Sequence, residues 1–320
     1  MNIKTSLLLF TLAISGCQST SVPDWYLGEM NHDPQYIYAV GEGFGLSSAQ
    51  KSALTQVNEQ LWTQVDSNFM QSVEYRAHGE TTFNRETIRN RMNVESARLV
   101  LSGAEFLNTD KHERTYYAQV RVKRDAVKLQ LNNELDQIEQ NATRLLNEYQ
   151  YQDKLTWWLA NKDYSAVLAE YYLRLAILDS MGQKRPFSSS VDKVTSAVSV
   201  AKSGLLIYIK SDANDVKSAD LVVQSFNPEE INTTQRWSNA VTHQLVMDAD
   251  YRRNRVGEAY ITTKLTQLTL KSRAGKTLAS NEIISTANSM SNFTLSHEGA
   301  ERHFGRQIEE MGIWSSLGFK

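Results

Sequence analysis

The sequence predicts an α+β protein: a small α/β N-terminal domain, a helical hairpin and a second α+β domain. Three observations predict it. Residues 115–123 alternate strictly, with Ala118, Val120 and Val122 facing one way and Gln119, Arg121 and Lys123 the other, the period of a half-buried strand. From Leu131 to Leu178 apolar residues recur every three or four positions, the period of amphipathic helices. From 259 to 286 two strand-like runs flank Arg273-Ala274-Gly275-Lys276, a hairpin signal.

The chain opens with Lys4 and the apolar run Leu7-Leu8-Leu9-Phe10-Thr11-Leu12-Ala13, then Ile14-Ser15-Gly16-Cys17. This run is too short to span a bilayer and has the layout of a secretion signal. Charge, apolar core, small residues and cysteine in that order resemble a bacterial lipoprotein signal peptide, residues 1–16. The resemblance implies cleavage between Gly16 and Cys17 and acylation of Cys17, so that the acyl chains hold the protein to a membrane. The alternative is an ordinary signal peptide with a cysteine near its cleavage site. Gln18, rather than an aspartate, resembles the sorting signal for the outer membrane. Cys17 is the only cysteine, so folding rests on apolar burial and not on disulfides.

Loss of Lys4 with the signal takes the formal charge from −2 to −3. Near-neutrality gives no case for nucleic acid as a partner. Roughly 300 residues remain, enough for two or three small domains.

Residues 17–35, with Pro23, Pro34 and small polar residues, read as a lipidated tether; Trp25 and Tyr26 can dock on the domain after it. The first domain is expected over 36–125. Residues 36–45 read as a strand and glycine turn. Ser47 or Ser48 can cap the next helix, whose face carries Ala49, Ala53, Val57, Leu61 and Val65. Phe69, Val73 and Tyr75 hint at one strand and Ala97, Leu99 and Leu101 at another, with Arg85, Arg89 and Arg91 between them as helix or hairpin.

The hairpin is expected over 126–181. Its first helix carries Leu131, Leu135, Ile138, Ala142, Leu145 and Tyr149. Its second, after Asn161-Lys162-Asp163, carries Tyr164, Leu168, Tyr171, Leu175 and Leu178. The pair looks like one tetratricopeptide-type unit without a second copy; it packs on its own domain or on a coiled-coil partner. Gly182, Pro186 and Ser188-Ser189-Ser190 mark 182–203 as a linker. In the last domain, 204–320, strands are expected at 205–210, 221–224, 259–271 and 277–286. Ser296 can cap a terminal helix with Glu298 in its first turn, and Ala300, Phe304, Ile308 and Met311 form its buried stripe.

Pro23-Asp24-Trp25-Tyr26, then Tyr36-Ile37-Tyr38-Ala39-Val40-Gly41-Glu42-Gly43, then an alanine-spaced helix, resemble the opening of the twenty-kilodalton bacterial lipoprotein family. Flagellar lipoprotein P belongs to it, and the first domain of flagellar protein T is similar. The match covers roughly residues 23–125, including the strand at 115–123 followed by Arg124-Asp125. The resemblance implies a small α/β domain used in envelope or flagellar-ring assembly, with no catalytic residues to carry over.

No catalytic motif stands out. Gly41-Glu42-Gly43-Phe44-Gly45 mimics a dinucleotide loop, but Leu46 stands where the last glycine of GxGxxG belongs, so a tight strand–helix turn is the expectation. His32, His78, His112, His243, His297 and His303 show no metal-ligand spacing. Ser296-His297-Glu298 holds triad residue types, but as neighbours rather than converging from separate elements. Arg252-Arg253-Asn254-Arg255, after Asp248 and Asp250, reads as a solvated turn with local ion pairs, or as a patch for lipid phosphates or wall polymer. Trp157-Trp158 and Tyr171-Tyr172 read as core.

The sequence therefore predicts a non-catalytic outer-membrane lipoprotein on the periplasmic face, without cofactor or metal. Its expected partners are the outer membrane, through Cys17, and envelope or flagellar proteins; a ring role implies a homo-oligomer. The alternative is a periplasmic regulator of a peptidoglycan synthase, carried by the last domain and reaching out on the tether. A hydrolase is a third reading with no constellation behind it.

Overall fold

The computed structural model describes residues 22–28, 33–65, 90 and 100–319. The signal peptide, Gly16, Cys17 and the strand expected around Phe69–Tyr75 lie outside the described residues, as does most of the one expected at Ala97–Leu101, whose Leu101 is described and lies in no strand. Those described are α+β and fall into two compact units: 22–65, 100–135 and 172–185 in one, 136–171 and 186–319 in the other.

The first unit begins with a short helix, α1 (Asp24–Leu27), where a tether was expected. Its Pro23 is buried and its Tyr26 packs edge-on against Tyr117, with ring centroids 4.8 Å apart. Strands β1 (Tyr36–Gly43), β2 (Ala104–His112) and β3 (Thr115–Lys123) form an antiparallel sheet in the order β1-β3-β2. Ala39 pairs with Val120, and Ala118, Val120 and Val122 are fully buried, as their alternation predicts. Helix α2 (Leu46–Thr63) covers this face with Ala49, Ala53, Val57 and Leu61, while Val65 lies beyond its end. The N-cap is Gly45, not a serine. Ser48 acts from inside the first turn instead, its Oγ accepting from the Gly45 N–H (3.0 Å) and donating to the Gly45 carbonyl (2.7 Å).

Helix α3 (Arg124–Tyr151) follows β3 without a break and buries Leu131, Leu135, Ala142 and Leu145. By backbone proximity the division between units passes through it and through α5 (Tyr164–Ser180). In the first unit Arg174 pairs with Glu134 at 2.6 Å. In the second, Tyr171 donates to Glu139 at 3.1 Å. An additional helix, α4 (Lys154–Asn161), separates them, because Asp153 caps it and Leu155, Trp157 and Trp158 bury its inner face.

The linker expected at 182–203 is largely helix: α6 spans Ser189–Ser203 and buries Val191, Val194, Ala197 and Ala201. That four- and three-residue spacing outweighs the weak helix preference of its serines. Strand β4 (Leu206–Lys210) falls as predicted. Leu221–Gln224, expected as a strand, lies in helix α7 (Val216–Ser225), which buries Ser218, Ala219 and Val222 at helical spacing. With β5 (Asn232–Thr234), β6 (His243–Val256), β7 (Ala259–Ser272) and β8 (Thr277–Ser289), β4 forms a sheet in the order β5-β4-β6-β7-β8. Strand β4 runs parallel to β5 and β6; the β6-β7-β8 part is antiparallel.

Arg252–Arg255, read as a turn, are the end of β6 and pair with Thr263–Tyr260. Charges on both faces hid the strand, since both faces are solvated there. Helix α8 (Phe293–Met311) packs on β7 and β8, burying Ala300, Phe304 and Ile308, whereas Met311 is 45% exposed. Its N-cap is Asn292, whose side chain accepts from the Leu295 N–H at 2.9 Å; Ser296 is inside the helix and buried. The short helix α9 (Ile313–Ser316) closes the described chain.

Candidate functional site

Three places concentrate function-bearing side chains. The first is the end of the first unit where α1 meets β1. The Tyr26 hydroxyl donates to Glu42 at 3.4 Å, and burial, then the Glu42 charge, pushes its pKa up, so it stays a neutral donor. This fastens α1, and with it Pro23, to the C-terminal end of β1. There the glycine turn serves packing. A Cβ on Gly41 would lie 2.1 Å from the Ala53 nitrogen and 2.6 Å from the Ala49 carbonyl oxygen, so only glycine lets α2 lie this close to the strand. The turn presents Phe44 at 91% exposure, between two glycines.

The second place joins α4 to β6. The Asp153 carboxylate accepts from the Leu155 and Thr156 N–H groups (3.1 Å each) and faces His243 Nε2 at 3.0 Å. His243 Nδ1 lies 2.9 Å from Thr242 Oγ1, which accepts from the Leu206 N–H (3.0 Å) and lies 3.1 Å from the Leu206 carbonyl. Burial alone would raise the Asp153 pKa; the His243 hydrogen bond and charge and the two N–H groups outweigh it and hold the carboxyl below its usual range. Aspartate, histidine and a hydroxyl in sequence suit a proton relay, yet His243 is 3% exposed and both its nitrogens are engaged. An open groove of about 610 Å³ runs past them, lined also by Tyr149, Lys154 and Arg273. Both cations are occupied: Lys154 donates to the Tyr149 carbonyl, and Arg273 to those of Asn239 and Val241.

The third is a polar layer beneath α7 and α8. Lys264 Nζ, fully buried, donates to Asp215 Oδ1 at 2.8 Å and Ser218 Oγ at 2.5 Å. The Tyr251 hydroxyl donates to the same Asp215 oxygen; burial, then Asp215, raises its pKa. The Tyr251 ring meets that of His297 at 4.5 Å, and His297 Nε2 lies 3.9 Å from Glu301.

The triad-type residues are not brought together. Ser296 bonds Thr262 at 2.7 Å, His297 faces Glu301, and Glu298 reaches Lys217 at 3.7 Å. His303 Nδ1 accepts from the Thr286 N–H at 3.1 Å, apart from His297's partners, and His112 sits 6.5 Å from the Tyr117 ring. His32 and His78 lie outside the described residues. Among the described residues no cluster of histidine, cysteine and carboxylate residues could hold a metal. Trp157, Trp158, Tyr171 and Tyr172 are core. On the β6 arginines, Arg253 lies 5.9 Å from the Phe293 ring and Arg255 5.0 Å from that of Tyr260, while Arg252 reaches Asp250 at 4.0 Å.

Sequence reasoning passed over Asp153, Asp215 and Lys264, and named Phe44 only within the glycine turn and His243 only among the histidines without metal-ligand spacing. Two of these carried a signal: Asp153 precedes an apolar helical run, and Lys264 shares the inward parity of Thr262, Thr266 and Leu268.

No protein-family model matches this chain, and no curated protein does. Among solved structures it is similar to the secreted protein HP1454 of Helicobacter pylori, at 13% identity and TM-score 0.44, with 89% of this chain and 99% of that chain covered. A protein described as a lipoprotein from Caulobacter crescentus CB15 matches at 10% identity and TM-score 0.26 over 34% of this chain and 88% of its own. A minor lipoprotein of Acinetobacter baumannii matches at 6% identity and TM-score 0.27 over 35% and 89%. These neighbours are secreted or lipoprotein-type bacterial proteins; likeness at this level transfers no residue and no activity. Among the described residues no helix is long and apolar enough to cross a membrane.

Proposed function

We propose that this protein is a non-catalytic lipoprotein of the outer membrane, anchored through acyl chains on Cys17, that serves as a scaffold or assembly factor in the cell envelope. The observation that carries the reading is the segment from Lys4 to Cys17, with its apolar core and small residues before the only cysteine. The docking of Pro23 and α1 adds to it, because the folded unit then begins within six residues of the anchor. The polar clusters support a structural role: His243 and Lys264 are buried and spend their hydrogen bonds inside the fold.

Flagellar outer-membrane ring assembly is the specific role favoured by the resemblance of residues 23–125. A synthase regulator would use residues 17–35 as a spacer, and residues 23–27 belong to the folded unit instead. Crosslinking in living cells, with detergent extraction and mass spectrometry of the proteins that Cys17-anchored protein brings down, tests the proposal. Ring or basal-body components support the flagellar role. A wall synthase as the main product overturns it, as do normal motility and intact filaments in a clean deletion strain.

A further inference from the structure

Deepening the reading of Cys17 as an acylated anchor, and resting on it, we propose that the β1–α2 turn is a membrane-docking tip: Phe44, with Leu46 and Leu27, enters the interface of the bilayer that holds Cys17.

The argument begins with chain length. Five peptide units separate Cys17 from Val22, a span of at most about 18 Å however the chain runs. Pro23 is buried in the first unit, and Tyr26 ties α1 to Tyr117 and to Glu42. The attachment point therefore lies within about 18 Å of Val22, whose neighbour Pro23 belongs to the folded unit, rather than at the end of a long spacer. Glu42 lies two residues before Phe44, so the turn carrying Phe44 is at the end of the sheet that α1 meets.

Three apolar side chains there are uncovered, at the same end of the sheet as the charged β2–β3 turn of Glu113 and Arg114. Phe44 is 91% exposed, Leu27 74% and Leu46 41%. A single exposed apolar residue is ordinary. Three of them at the end of the unit where α1 meets β1, one a phenylalanine at the apex of a glycine-flanked turn, match what an interfacial contact needs: apolar side chains reaching about 5–10 Å into the headgroup and acyl boundary. Close packing of α2 accounts for Gly41 and Gly43, where an added Cβ would meet α2 backbone nitrogens at 2.1 and 2.8 Å, but it does not account for the exposure of the Phe44 side chain. Acyl chains already hold the unit at the surface, so a few apolar side chains suffice to orient it there.

The test exploits the cysteine count. Once Cys17 is acylated, Phe44→Cys supplies the one free thiol. The acylated full mature protein is reconstituted in phosphatidylethanolamine/phosphatidylglycerol vesicles and labelled at position 44 with an environment-sensitive fluorophore. Leu46→Cys gives a second reading of the tip. Lys123→Cys, exposed at the opposite end of β3, is the reference. Acylation of Cys17 is checked by mass spectrometry, and thermal unfolding checks that each variant is folded. The expected result is a blue-shifted label at 44 and 46, quenched several-fold more by acyl-chain nitroxides than the label at 123. Equal quenching at 44 and 123 with Cys17 acylated overturns the docking tip and leaves the anchor standing. An unacylated Cys17 overturns the anchor, and the docking tip with it.

Discussion

Asp153 and His243, ninety residues apart in sequence, meet at 3.0 Å, and the same carboxylate caps α4. One side chain thus fixes where a helix starts and where that helix meets the first residue of β6. The two roles separate by substitution. Asp153→Asn keeps an oxygen for the cap and loses the charge; Asp153→Ala loses both. Loss of the cap alone costs about 1 kcal/mol. The alanine variant is expected to unfold at lower temperature than the asparagine variant, and both below the parent, in thermal unfolding followed by circular dichroism.

The same pair sets an acid limit. The folded-state pKa of Asp153 lies below its unfolded value, so its contribution is fully present above the unfolded value, about pH 4, and is lost as pH falls through the folded one. The parent's advantage over Asp153→Asn is therefore expected at neutral pH and should shrink below about pH 4. A constant gap between the two from pH 7 to pH 3 counts against the pairing.

Lys264 and Asp215 are a different case, because neither reaches water. Lys264→Met leaves the Asp215 carboxylate buried without its cation and is expected to cost about 3–5 kcal/mol. Adding Asp215→Asn should recover a large part of that loss, since the stranded charge is then gone. Urea unfolding of the parent, both single variants and the double variant closes the cycle, and simple additivity would refute the coupling.

Gly41→Ala drives a methyl group into the backbone of α2 at Ala49 and Ala53. Overpacking of this kind costs about 1–3 kcal/mol or more. Gly257→Ala, at a hairpin turn with φ of +60° and open space around it, strains only its own backbone and is expected to cost about 1 kcal/mol. The order of the two unfolding midpoints is the check.

Cys17→Ser removes the proposed acylation site. The variant is expected to shift from the membrane fraction to the soluble or uncleaved precursor pool, scored by fractionation and by the mass of the N-terminal peptide.

Much of the fold was legible where one face is buried and the other wet. The alternation of Ala118, Val120 and Val122, the α2 alanine spacing and the Leu131–Leu145 stripe each read directly as an element. Legibility failed where that contrast is missing. The end of β6 carries Arg252, Arg253 and Arg255 because both its faces meet solvent, and period-2 reasoning has nothing to hold there. Helix α6 was hidden by its serines, which weaken the helix preference of the run although Val191, Val194, Ala197 and Ala201 keep helical spacing. Val222 was read in a strand-like run because a short apolar stretch fits either period. Of the candidate sites, Cys17 was visible as a local pattern. Asp153–His243 and Asp215–Lys264 were not, because each pair is made by topology across tens of residues.

The buried lysine has a consequence for how the second sheet assembles. Along β7 the inward positions are Thr262, Lys264, Thr266, Leu268 and Leu270, and the outward ones include Ile261 and Leu265. The two sets differ little in greasiness, so burial of apolar surface alone discriminates weakly between the native pairing and one slipped by a residue. A slip would turn Lys264 out to water and leave Asp215 and Tyr251 facing Thr263 or Leu265, with a carboxylate sealed against no cation. The ion pair makes that misassembly costly, and so acts as the key that admits a single alignment of β7 against β6.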